Sequence, residues 1–98
     1  RFENFIATQN FPAFGSPMLE LVLKFHPLMK PLAEEQFGMS GGSVMEDGSY
    51  LVKTRLPDEG SSYGYLLSFG NYLEVLEPGE LRTKLRQAAL DIASRYEN

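Results

Sequence analysis

The stretch Tyr65-Leu66-Leu67-Ser68-Phe69-Gly70-Asn71-Tyr72-Leu73-Glu74-Val75-Leu76-Glu77-Pro78-Gly79-Glu80-Leu81-Arg82 constrains this chain more than any other. It reads as the end of a helix, a glycine stop, a strand of about five residues over 72–76, a proline break and the start of another helix. The proline cannot continue a central strand but is tolerated where a helix opens. Glu77 and Glu80 add negative charge at the positive end of that helix. A helix–strand–helix core this short leaves few architectures open to the rest of the chain.

Upstream, Leu19, Leu21, Leu23 and Phe25 alternate with Glu20, Val22, Lys24 and His26. That period of two predicts a strand with one buried face, ended by Pro27. Pro27 then opens a helix with Leu28, Leu32 and Phe37 as its apolar stripe and Gly38 as its stop. After a loop over 39–42, Asp47-Gly48 between two β-capable runs predicts a hairpin, with both turn residues at positive φ. On its second strand Tyr50, Val52, Thr54 and Leu56 share one face; Leu51, Lys53 and Arg55 share the other. A turn over 57–60 leads to a helix capped by Ser61 or Ser62, with Tyr63, Leu66, Leu67 and Phe69 inward. The last helix carries Leu81, Leu85, Ala88, Ala89, Ile92 and Tyr96 at helical spacing.

The order is therefore strand, helix, strand, strand, helix, strand, helix. The first six elements make the split βαβ pattern of an α+β, ferredoxin-like βαββαβ sandwich, and the seventh is an extra C-terminal helix. In that topology the first and third strands lie side by side at the sheet centre, and two helices cover one face. Residues 18–98 form this domain. Residues 1–17, dense in aromatics and closed by a Pro/Gly/Ser cluster, read as the tail of a preceding domain and a linker. With Arg1 in place of an initiator Met, the chain reads as a piece of a longer protein.

Composition narrows the function more than it names one. The hydrophobic share of 43% and the charged share of 22% are those of a globular domain. No apolar run reaches membrane-spanning length, and no signal peptide is present. A net charge of −4 is the wrong sign for a domain that grips a phosphate backbone by itself. Zero Cys removes thiolate nucleophiles and Cys-based zinc sites, and suits a reducing cytoplasm.

Nothing in the sequence calls for an enzyme, a metal or a cofactor. His26 stands alone at a strand end, without the ligand set of a metal site or an orienting partner. Ser68 lies outside a Gly-x-Ser-x-Gly frame, and the glycines over 38–48 lack the Lys-Ser/Thr ending of a phosphate loop. Two surfaces remain as candidates. Lys24, His26, Lys53 and Arg55 fall on the open face of the central strands, where they could hold an anion or an effector; a solvated face of scattered charges, offset by Glu20 and Glu74, is the plainer explanation. That face lacks the aromatics that stack bases in RNA-binding sheets of this topology. Tyr63, Tyr65, Tyr72 and Tyr96 are either core edge or an interface, where tyrosine is enriched.

Several segments resemble one family. Tyr65–Gly70 (YLLSFG), Glu74–Arg82 (EVLEPGELR), Leu23-Lys24-Phe25-His26-Pro27 and the Asp47-Gly48-Ser49 hairpin are similar to the C-terminal segment of bacterial transcription regulators of the WYL class. The usual form of the first motif has Trp where this chain has Tyr65. The likeness covers 18–98 and is firmest over 65–86. It implies a C-terminal extension domain that follows a helix-turn-helix and a WYL domain, neither of which lies in these residues. In that family the extension contributes to dimerisation and effector-linked control, while the helix-turn-helix binds promoter DNA. The implied partners are a second copy of the protein, promoter DNA through the helix-turn-helix, and a small-molecule or nucleic-acid effector. A free-standing, small-molecule-binding ferredoxin-like sensor module is the alternative.

Overall fold

A computed structural model describes residues 17–38 and 41–97. The residues expected to form a preceding tail and linker lie, apart from Pro17, outside them. The elements are β1 (Met18–Phe25), a 3-10 turn (Pro27–Met29), α1 (Lys30–Phe37), β2 (Gly42–Val44), β3 (Tyr50–Pro57), α2 (Gly60–Leu67), a second 3-10 turn (Gly70–Tyr72), β4 (Leu73–Glu77) and α3 (Gly79–Ser94). The four strands form one antiparallel sheet in the order β2-β3-β1-β4. This is the ferredoxin-like α+β arrangement with a C-terminal helix.

The alternation in β1 decides which face is covered. Leu21, Leu23 and Phe25 are fully buried, and Val52 and Tyr50 lie beside them through the pairs Leu23↔Val52 and Phe25↔Tyr50. Ala33 and Phe37 of α1, Leu66 of α2, Phe69, Val75 of β4 and Leu81 of α3 complete the core. Burying each large apolar side chain contributes roughly 1.5–3 kcal/mol. An aromatic cluster closes one end: the Phe25 ring lies 5.7 Å from Phe37 and 5.4 Å, edge-on, from Phe69, and Tyr65 is 5.3 Å from Phe69.

Local details depart from the sequence expectations at five places. The helix expected from Pro27 is a 3-10 turn followed by α1, because Pro31, in the first turn of α1, has no N–H to return to Pro27. Leu28 leaves the apolar stripe and is 73% exposed. Asp47-Gly48 is not a two-residue turn with both φ values positive. Gly48 N–H donates to Met45 O at 3.0 Å, which centres the turn on Glu46-Asp47, and Gly48 follows it at φ 89°. Asp47 Oδ1 accepts from Ser49 N–H at 2.9 Å and fixes this five-residue connection. Neither Ser61 nor Ser62 caps α2. Asp58 N–H is held by Pro17 O at 2.8 Å, α2 begins at Gly60 after Glu59, and Ser61 Oγ donates to Glu59 Oε2 instead.

The fifth departure is α3. Leu81 is buried, and Leu85 and Ala88 are partly covered, but Ile92 is 50% and Tyr96 80% exposed. The sixteen-residue helix outruns the sheet it packs against, so its stripe is core at one end and surface at the other. Along its first half α3 runs beside the outer edge of β4. Arg82 Nη1 donates to Val75 O at 2.6 Å and to Glu74 Oε2 at 3.2 Å, which satisfies an edge carbonyl and blocks strand-to-strand pairing there.

Candidate functional site

The antiparallel register sets what the open face can do. Arg55 stands directly opposite Glu20, Lys53 opposite Val22, and Val22 in turn opposite Glu77. These residues and Thr54 line a shallow hollow of about 470 Å³. Lys24 lies opposite Glu74 and pairs with Asp47 at 3.5 Å. Arg55 and Lys24 thus each stand opposite a carboxylate, while Lys53 stands opposite Val22. The hydrogen bond from Ser49 N–H, then the Ser49 hydroxyl and nearby Lys24, hold the Asp47 carboxyl below its ordinary pKa. His26 does not join this face. Its Nδ1 accepts from Leu28 N–H at 3.1 Å, capping the 3-10 turn, and its ring meets Tyr72 edge-on at 5.3 Å.

The four tyrosines occupy three separate places. Tyr65 and Tyr72 share a hollow of about 530 Å³ with Met29, Leu32, Gln36 and Phe69. The Tyr65 hydroxyl donates to Gln36 Oε1, and burial pushes its pKa up. Tyr72 is 43% exposed. Tyr63 belongs to a different cluster: its hydroxyl donates to Asp58 Oδ1 and accepts from Lys84 Nζ at 3.0 Å, and that ammonium lies 5.3 Å from the Tyr63 ring centre. Lys84 also pairs with Asp58 at 3.7 Å, and its pKa is raised, first by the Tyr63 hydrogen bond and then by the Asp58 charge. The cluster ties the start of α2 and the loop before it to α3. Tyr96 stands apart near the C-terminal end of α3, beyond Leu90 and Ile92.

The sequence reading missed one concavity. Between β4, the end of α2 and α3 runs a groove of about 430 Å³, with an apolar wall from Leu66, Leu67, Leu73 and Leu85 and a rim of Glu74, Arg82 and Arg86. Helical spacing sets Arg82 and Arg86 off the apolar stripe of α3. Their i,i+4 spacing puts them on one side of α3, but only packing shows that this side faces β4. Among the described residues no group of three or more His, Cys, Asp or Glu could hold a metal ion, and no helix is long and apolar enough to cross a membrane.

A search of curated proteins finds no match to the chain. The model of the WCX domain matches residues 17–93, from the residue before β1 to the last turn of α3. WCX is a regulatory rather than catalytic domain family, associated with the C-terminal side of WYL-type regulators. The matched span takes in every strand and helix described above, and on that ground this chain belongs to the WCX domain family.

Proposed function

We propose that the chain is the non-catalytic, C-terminal regulatory and oligomerising part of a bacterial DNA-binding transcription regulator in the cytoplasm. Promoter DNA is bound by a helix-turn-helix outside these residues, and this domain helps couple effector sensing to that binding. The match to the WCX domain carries the reading. Charge supports the division of labour, because a domain at −4 with carboxylates set against Arg55 and Lys24 is poorly suited to hold a duplex alone.

Two exposed apolar surfaces suit a second copy: the hollow at Tyr65 and Tyr72, and the outer half of α3 with Leu90, Ile92 and Tyr96. Lys53, with Lys24 and Arg55 on the neighbouring positions of the open face, remains the place for an anionic contact within the assembly.

The test compares the full-length regulator with a form lacking the segment that corresponds to 17–93. Promoter affinity is measured by fluorescence anisotropy and mass by light scattering. The truncated form is expected to lose self-association and to bind promoter DNA more weakly, with Tyr72→Ala and Tyr96→Ala locating the surface responsible. Unchanged mass and unchanged promoter affinity after truncation would sink the proposal.

A further inference from the structure

The groove beside β4 combines three features that together specify a ligand. The first is an apolar wall: Leu67, Leu73 and Leu85 are each partly exposed into it over buried Leu66.

The second is a row of backbone donors. His26 N–H donates to Tyr72 O, and the β1–β4 pairs step from Phe25↔Leu73 through Lys24↔Glu74 to Leu23↔Val75. Antiparallel bonding alternates along such a ladder, so Leu73 and Val75 turn their N–H and C=O groups away from β1. The bond from Arg82 to Val75 O on that outer side follows from this geometry. It leaves the N–H groups of Leu73 and Val75 pointing toward the groove.

The third feature is one surplus charge. Arg82 is balanced by Glu74, whereas Arg86, one turn further along α3, has no ion pair among the described residues. On the open sheet face acids stand across from Arg55 and Lys24, and Lys53 stands across from Val22 with no apolar groove like that of Arg86 beside it among the described residues.

We propose that this groove binds a small monocarboxylate with an apolar body. The Arg86 guanidinium holds the carboxylate through its planar fork, helped by the outward N–H groups, and the leucines cover the body. One unbalanced cation matches a monoanion, and guanidinium geometry matches carboxylate. The volume lies in the range of small-molecule sites, roughly 300–1,000 Å³. The ligand's role as an effector rests on the regulatory reading above; its binding does not.

The experiment uses the 98-residue chain with sodium octanoate as the probe and octanamide as its neutral analogue. Affinity is read by calorimetry, and the site by amide chemical shifts. Octanoate is expected to bind in the micromolar to millimolar range and to move the Leu73 and Val75 amides and the Arg86 Nε signal. Loss of a charged hydrogen bond predicts that Arg86→Gln weakens octanoate about tenfold or more, while Arg95→Gln does not. Octanamide should bind about tenfold more weakly than octanoate and ignore Arg86→Gln. Octanoate that shifts no groove amide, or that binds equally well to Arg86→Gln, overturns the proposal. Those results leave the truncation test above untouched. Failure of the truncation test with octanoate binding intact overturns only the regulatory role.

Discussion

Tyr63 joins two helices through one hydroxyl, which donates to Asp58 and accepts from Lys84. Removing that hydroxyl with Tyr63→Phe is expected to cost about 1 kcal/mol in urea denaturation, the usual net worth of such a bond. The pKa of Lys84 is raised by this contact, so its contribution is complete below its ordinary value of 10.5 and is lost as pH climbs past it. Tyr65, raised by burial, acts in the same direction above its ordinary 10.0. Stability should therefore fall on the alkaline side, and fall less in Lys84→Met. Asp47 has the opposite sign: its pKa is lowered, so its contribution is present above the ordinary 3.8 and lost as pH drops below it. Asp47→Asn should flatten that acid limb of the stability curve. Gly42 is a further residue whose role depends on position, because a Cβ there would overlap the buried Tyr50 ring and hydroxyl. Gly42→Ala is expected to cost about 1–3 kcal/mol by overpacking, read from the same urea transition.

At the scale of elements, α3 changes character along its length. Leu81→Ala should cost about 2–5 kcal/mol, because the side chain is buried at the edge of the core. Ile92→Ala, with the same helical spacing and half its surface exposed, should stay within about 0.5 kcal/mol. Urea melts of both variants over a range of protein concentrations check this contrast. A large, concentration-dependent loss at Ile92 would show instead that another copy covers the outer half of α3 in solution. Helical periodicity made Leu81, Leu85, Ala88, Ile92 and Tyr96 legible as one stripe. It could not show where the stripe leaves the sheet, since that depends on how far β4 and α2 extend beneath it. The hairpin shows the same division. Asp47-Gly48 marked the reversal, but the Gly48-to-Met45 hydrogen bond that moved the turn one residue back is a matter of strand register.

For the whole molecule, the order of strands and helices was legible because each break carries its own local chemistry: Pro27 and Pro78 at helix starts, Gly48 and Gly70 at positive φ, and an alternation in β1 that admits one buried face. Pattern and breaker together leave the split βαβ topology, and the strand order follows it. The motifs over Leu23–Pro27 and Tyr65–Arg82 pointed to the family for the same reason, since they lie at those junctions. What only the tertiary structure decided was pairing across distance. Register set Arg55 against Glu20 and Lys24 against Glu74, and so balanced two of the three cations of the open face, leaving Lys53 opposite Val22. Packing sent four tyrosines to three places and turned Arg82 and Arg86 toward β4. Local sequence determines backbone preference and the buried face of each element, because those depend on neighbours within a few residues. It does not determine which charges meet or where a groove opens, because those depend on elements far apart in the chain.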